Sequence, residues 1–223
     1  MRDIVVSHVP ADRPIQMLDV GCGTGSLVFL LAAALPSATI TGLDVSAPNI
    51  KAAEAQKLKL DAASAARVHF ELADYLARPV SSVDAITSDG VLHLIPGDTR
   101  ALMAKLAADI KAGGVLVVCM PYDCAYNYAF AMLRRMLRLV RSRALDALIL
   151  AVGRILHGNE MSDDGLRERV PYMYIAPQRL AGRGLRERIA PSVGLTLVTR
   201  CPMPSASLSQ LRHEVLVFQK QAA

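Results

Sequence analysis

Met17-Leu18-Asp19-Val20-Gly21-Cys22-Gly23-Thr24-Gly25 decides the fold of this 223-residue chain. An apolar run carries a carboxylate near its end, three glycines follow at alternate positions, and Ser26–Leu35 continues as an apolar stretch long enough for a helix. Strand, glycine turn and helix is how a parallel α/β sheet brings bare backbone against a nucleotide-like ligand. The spacing narrows the ligand. A dinucleotide fingerprint needs G-x-G-x-x-G, but here the third glycine comes one residue early, at Gly25, and Ser26 stands where that pattern wants glycine. No Gly-Lys-Ser/Thr follows, so the P-loop pattern fails as well. Asp19 would repel a pyrophosphate and suits a cation. The loop therefore points to an adenosine ligand that carries positive charge.

Outward from the loop, strand and helix signals alternate. Ile15–Val20 is the first predicted strand, and the helix after the glycines stops before Pro36. Thr39–Leu43 is a second β-rich run ending in Asp44, 19 residues past Gly25, about where this kind of fold sets an acid against ribose hydroxyls. Ser46 caps a helix running through Lys51–Leu60, with Pro48 tolerated in its first turn. Arg67–Leu72 alternates Val68, Phe70 and Leu72 as a third strand, and Asp74-Tyr75 follow it. Val83–Thr87 is the fourth, and the segment Ser88–Pro96 leaves its tip. Asp98 or Thr99 caps a helix to Ile110, which Gly113-Gly114 terminates, and Val115–Met120 is a fifth, wholly apolar strand of the kind buried on both faces.

From Pro121 the alternation breaks. Tyr122, Tyr126, Tyr128 and Phe130 cluster ahead of two amphipathic helices. In the first, Leu133, Met136, Leu137 and Val140 share one face and Arg134, Arg138 and Arg141 another; in the second, Leu145, Leu148, Ile149 and Val152 share a face. A polar loop with Asn159, Glu160, Asp163 and Asp164 leads to Pro171–Tyr174. After Pro177 an arginine-rich helix is expected to about Ile189, and Leu195–Thr199 and Glu214–Gln219 close the sheet as two last strands. The expected architecture is a single α/β domain over 1–223: a doubly wound, seven-stranded Rossmann-like sheet with an antiparallel last strand and a helical lid inserted at about 121–176.

Composition limits the partners. The chain is 52% hydrophobic, no apolar stretch reaches the length of a membrane span, and the first residues lack a signal-peptide core. Four cysteines (Cys22, Cys119, Cys124, Cys201) show neither metal-ligand spacing nor a disulfide framework and read as free thiols in a reducing cytoplasm. His157, Glu160, Asp163 and Asp164 follow no metal pattern either, so no metal is expected. Net charge is about −2 over residues 1–120 and +7 over 121–223. That asymmetry fits either an anionic partner or the solvated faces of arginine-rich helices.

The glycine loop resembles the first motif of class I S-adenosylmethionine (SAM)-dependent methyltransferases, a carboxylate followed by x-G-x-G-x-G. The resemblance covers residues 15–120 and resumes at about 177–220. It extends to Asp44, to Ala73-Asp74-Tyr75 after the third strand and to Ile110–Gly114 before the fifth. It implies SAM as cofactor, with Asp19 and the backbone of Gly21, Cys22, Gly23, Thr24 and Gly25 at the methionine end. It also implies Asp44 on the ribose hydroxyls, Val45 and Asp74 with Tyr75 at the adenine, and Ser88 and Asp89 beside the sulfonium. Cys22 is a small filler rather than a nucleophile. Members of the family have helices ahead of the first strand, and only 14 residues precede it here, so a more open cofactor site is expected. The Asn/Asp-Pro-Pro-Tyr and Pro-Cys signatures of nucleic-acid methylation are missing after strand four, where Ser88-Asp89-Gly90-Val91 stands. Nucleic acid is therefore the weaker partner.

The expected reaction is methyl transfer to a small, partly apolar acceptor, with oxygen favoured as the methylated atom. His93, or alternatively Asp89, is the candidate base for a hydroxyl acceptor, although a Leu-His-Leu at this place can equally serve packing. Tyr122, Tyr126, Tyr172 and Tyr174 flank the lid and are candidates to line the acceptor pocket, or lid core. Two further readings stay open: a non-catalytic SAM-binding partner subunit, and a methyltransferase working on a lipid-like acceptor at a membrane surface to which the basic helices attach.

Overall fold

The computed structural model describes residues 1–10, 12–157, 163, 166–167, 170–204 and 210–221. Asn159, Glu160 and Asp164 of the expected polar loop lie outside them. Seven strands form one sheet: β1 (Ile15–Val20), β2 (Ala38–Asp44), β3 (Val68–Leu72), β4 (Val83–Asp89), β5 (Ile110–Pro121), β6 (Leu195–Pro202) and β7 (His213–Lys220). Their spatial order is β3-β2-β1-β4-β5-β7-β6. The first five run parallel, and β7 lies antiparallel between β5 and β6. The order reverses between β1 and β4, so a crevice opens there at the carboxyl ends of the strands.

Period-two side-chain alternation feeds two cores. Leu18, Val20, Ile86, Leu116, Val118, Leu216 and Phe218 point to the layer that holds α5 (Thr99–Asp109). Ile15, Met17, Ala85, Val115, Val117, Val215 and Val217 point to the layer holding α1 (Arg2–Val6) and α2 (Ser26–Ala34). α3 (Ala47–Lys57) starts on Ser46, whose side chain accepts from the Asn49 N–H, with Pro48 in the first turn. Asp98 caps α5 by accepting from the Ala101 N–H at 2.8 Å. A short α4 (Ala62–Ala66), capped by Asp61, escaped the sequence reading because its one turn has no apolar period. α5 stops at Asp109 rather than Ile110, because Ile110 already pairs with Val83 in the sheet. The turn expected of Gly113-Gly114 sits inside β5, where Gly113 takes a φ of 75°.

The inserted helices are α6 (Ala125–Leu139) and α7 (Arg143–His157). Both tie to a 3₁₀ segment, Val170–Tyr174. On α6 the apolar face, Leu133, Met136 and Val140 included, is exposed, while Asn127, Ala131 and part of Arg134 turn inward. Asn127 explains the choice. Fully buried, it donates to the carbonyls of Tyr122 and Arg212 and accepts from the Arg212 N–H, fixing the start of α6 to the start of β7. The arginine-rich helix is also shorter than expected. It starts late because Ala181 is held in an extended bridge, its N–H on the Pro121 carbonyl at 2.8 Å; it is π-wound over Gly184–Ile189 and runs on through an α turn at Ala190–Ser192.

Candidate functional site

The glycine turn joins β1 to α2 with Gly21, Gly23 and Gly25 at φ of 75°, 56° and 85°. They serve different ends. A Cβ on Gly21 would lie 2.5 Å from the Val91 side chain, and one on Gly25 would meet Phe70 at 2.7 Å, so both are held to glycine by packing as well as backbone angle. A Cβ on Gly23 would meet nothing within 4 Å. Gly23 thus faces open space, with exposed Thr24 beside it. The turn's N–H groups are largely spent on the protein: those of Gly21 and Cys22 on the Leu43 carbonyl, that of Gly25 on the Cys22 carbonyl, that of Gly23 on Asp44. A phosphate cradle would need them free.

Three carboxylates surround this turn. Asp19 is buried and accepts from the Thr87 hydroxyl at 2.6 Å. Burial, with the neighbouring charges of Asp89 and Asp44 adding to it and the Thr87 hydrogen bond opposing, pushes its carboxyl up to about 7. Asp44 ends β2 and accepts from the N–H groups of Gly23 (2.9 Å) and Ser46 (2.8 Å), so it braces the glycine turn against α3. Val45 follows it with its side chain 73% exposed, an apolar surface beside the turn. Asp74 is exposed past the end of β3 and accepts from the Leu76 N–H, while Ala73 is tied back to the Asp44 carbonyl. Asp19, Asp44, Val45, Asp74 and the open face of Gly23 thus follow the tips of three adjacent strands. An adenosine-bearing cation fits this set, with acids toward its charged and hydroxyl ends and an apolar step between.

Several expected contacts turn elsewhere. Tyr75 is buried and its hydroxyl donates to Asp109 at 2.7 Å, so its side chain belongs to the α5 core and not to the adenine. Ser88 is fully buried and donates to the Val20 carbonyl, stitching β4 to β1 beneath the site. Cys22 points under the turn, within 2.9 Å of where a Gly42 Cβ would be, and burial pushes its thiol up to about 12, in keeping with a filler. Alternation along strand and turn decides each case, since a motif position does not fix which way its side chain points.

On the other side of Asp89 a cleft of about 680 Å³ opens, lined by Asp89, Gly90, Cys119, Met203, Leu211 and His213 among others. None of the lid tyrosines lines it. Tyr174 is buried, donates to Asp146 at 2.5 Å and lies under the Arg141 guanidinium, and Tyr172 is exposed. Tyr122 packs on the α5 core, and Tyr126 stacks on Phe130 with Arg212 over its ring. The four tyrosines therefore do not meet at this cleft, whose described wall includes Met203, Pro204, Gln210 and Leu211.

His213 is the residue the sequence reading missed. Antiparallel β7 begins where parallel β5 ends, so His213 pairs with Pro121 and lands at the carboxyl edge beside Asp89. Its Nδ1 bonds the Leu211 carbonyl at 2.7 Å, and its ring meets that of His93 edge to face at 5.7 Å. His93 lies behind it, buried, with Nδ1 lacking any partner. Burial first, then His213, Arg134 and Arg179, press its imidazole down to about 3. Buried Arg179, also missed, donates to the carbonyls of Leu92, Ile95 and Gly97 and so clamps the loop that carries His93. Burial, with the charge of the neighbouring Asp89 carboxylate adding to it, pushes the Cys119 thiol up to about 12.

Known proteins resemble this chain in sequence and in fold. Residues 18–116 match the family described as a methyltransferase domain. The chain is 34% identical over 122 residues to trans-aconitate 2-methyltransferase of Methylobacterium radiotolerans, covering 54% of this chain and 44% of that protein. With the enzyme of the same name from Deinococcus radiodurans it shares 37% over 111 residues, 49% of this chain and 40% of that one. The chain thus spans less than half the length of these curated relatives. Among solved structures, a SAM-dependent methyltransferase from Methanosarcina mazei superposes with a TM-score of 0.62 at 12% identity, covering 99% of this chain and 98% of that one. The N-methyltransferase NodS from Bradyrhizobium japonicum, in complex with S-adenosyl-L-homocysteine, superposes at 0.56 and 15% identity, covering 98% and 85%.

Proposed function

We propose, from the match of residues 18–116 to a methyltransferase domain and the likeness to curated methyltransferases, that the chain is a class I SAM-dependent methyltransferase that binds SAM along the tips of β1, β2 and β3 and carries its methyl group to an oxygen of a small organic acid. The observation that carries the cofactor half is Asp19: a buried carboxyl pushed up to about 7 with two more carboxylates beside it is a hole in charge that a cationic ligand fills. Bound SAM supplies an activated methyl on a sulfonium that is its own leaving group. Asp44 takes the ribose hydroxyls, Val45 packs on the base, Asp74 reaches its amino group, and Asp19 with Gly21–Gly25 holds the methionine end. Asp89 and His213 line the cleft in which the acceptor would sit. We place the protein in the reducing cytoplasm, which its four unpaired thiols suit.

The choice of acceptor follows from His93. A general base works best with a pKa near the operating pH, and an imidazole pressed down to about 3 takes up a proton poorly. A hydroxyl acceptor would be left without help from it. A carboxylate is already ionised at neutral pH and is itself the nucleophile, so only its position matters. The two curated relatives are named for action on trans-aconitate, an acid of this kind.

Two measurements test the halves separately. Tritium from labelled SAM is expected on trans-aconitate or another di- or tricarboxylate within a metabolite panel, in a form released by mild alkali as methanol, as a methyl ester is. Label that resists alkali, or that appears only on amines, overturns the acceptor. For the cofactor, the sign of the pH effect is set by Asp19. In the free chain it is protonated below about 7; a cation favours the carboxylate, so binding expels a proton. Calorimetric SAM affinity is therefore expected to fall as pH drops below about 7, approaching tenfold per unit, and to level off above it. Asp19→Asn is expected to flatten the profile. A flat wild-type profile removes Asp19 from the methionine end.

A further inference from the structure

We infer that the outward faces of α6 and α7 are a docking surface for an anionic phospholipid membrane, a property separate from the methyl transfer proposed above. On α6, Tyr128, Met132, Met136 and Leu139 follow one another at four- and three-residue steps on one face, and are 60%, 57%, 58% and 77% exposed. On α7, Leu148, Val152 and Ile155 do the same at 59%, 45% and 84%. Among the described residues nothing of this chain covers them. A helix that buries asparagine, alanine and arginine while showing methionine, leucine and tyrosine to solvent is turned inside out for a protein in water. It is correctly turned for a helix lying in the boundary between headgroups and acyl chains.

Charge selects the occupant. Residues 125–157 contain six arginines and one acid, Asp146, which is occupied by the Tyr174 hydroxyl and lies 3.9 Å from Arg141. Exposed Arg135, Arg138 and Arg143 have no ion pair among the described residues. A second copy docking face to face would bring like charge onto like charge, and a neutral apolar partner would leave the arginines unmatched. A surface of anionic headgroups takes both the apolar stripe and its arginines, and Tyr128 has the apolar ring and polar tip favoured at that depth. No helix among the described residues is long and apolar enough to cross a membrane, so the mode is attachment in the plane of one leaflet.

The test is sedimentation of the full chain with vesicles. Binding is expected to phosphatidylcholine mixed with phosphatidylglycerol, to weaken with added salt, and to be absent with phosphatidylcholine alone. Met136→Glu with Leu148→Glu is expected to abolish it, and Arg135→Gln with Arg138→Gln to weaken it by about fivefold per arginine. These positions are exposed, so unchanged circular dichroism and SAM affinity are expected to show that the variants fold. No binding to the mixed vesicles, or equal binding to neutral ones, overturns the proposal. So does a dimer in light scattering that Met136→Glu disperses while vesicle binding of the wild type is nil.

Discussion

Asp44→Ala is expected to weaken SAM binding about a hundredfold, the combined worth of roughly two hydrogen bonds to a charged acceptor. The carboxylate does two jobs at once. Its oxygens brace Gly23 at 2.9 Å and Ser46 at 2.8 Å, with the Asn49 side chain at 3.4 Å, and they remain the acid at the tip of β2 nearest the open face of the turn. Alanine removes the acid proposed to take the ribose hydroxyls and also frees the turn from α3. Both N–H groups lie where water can replace the lost partner, so the folded state is expected to tolerate the change far better than the ligand does. Calorimetry reads the affinity and a thermal melt the stability. An unchanged affinity would place the ribose elsewhere. A melt that collapses along with affinity would make Asp44 a bracing residue first.

Glu214→Ala is expected to have the largest effect on stability. Glu214 has no exposed surface and lies between Arg186, at 3.0 Å, and Arg200, at 2.5 Å, joining the π-wound helix and β6 through β7. Arg186 is itself mostly buried, and its guanidinium also donates to the Ala181 carbonyl. Removing the carboxylate strands that charge in a dry place, a change that costs about 3–5 kcal/mol. For a chain of this size the melting temperature should drop by roughly 6–20 °C. Differential scanning fluorimetry measures it. Removing Arg186 as well, in a Glu214→Ala/Arg186→Ala double variant, should recover part of the loss because no unpaired buried charge is left. A single-variant melt within about 2 °C of wild type would refute a structural role for the pair.

Much of the sheet was legible in the sequence because its strands are short apolar runs between unmistakable breaks: the bounds of β1 are those read from Ile15–Val20, and the cap on Ser46 is where its side chain and Pro48 put it. The acids at the strand tips were legible for the same reason, since a strand's end fixes where its next residue stands. Direction was not legible. Tyr75 and Ser88 sit at the expected positions and point into the protein, Ser88 by the alternation of its strand and Tyr75 because its hydroxyl reaches Asp109 from the turn after β3. Amphipathicity in α6 showed which residues share a face; only Asn127, buried against the Tyr122 and Arg212 carbonyls, decides which face turns inward. His213 and Arg179 were hidden for a third reason, that each reaches the site from about 80 residues or more away along the chain. The signal available for His213 was the antiparallel closing strand itself, whose first residue must fall at the carboxyl edge.

That closing strand also has a consequence for how the molecule is assembled in time. β7 follows β6 in the chain yet lies between it and β5, so β6 has no strand to pair with until β7 has left the ribosome. The five parallel strands, and with them the glycine turn and the acids around it, need only the first 121 residues. During synthesis the glycine turn can therefore form before the cleft residues Met203, Leu211 and His213 have been made. The interval between the two leaves an unpaired edge at β5, and this is the stage at which the chain is most exposed to pairing with the wrong strand.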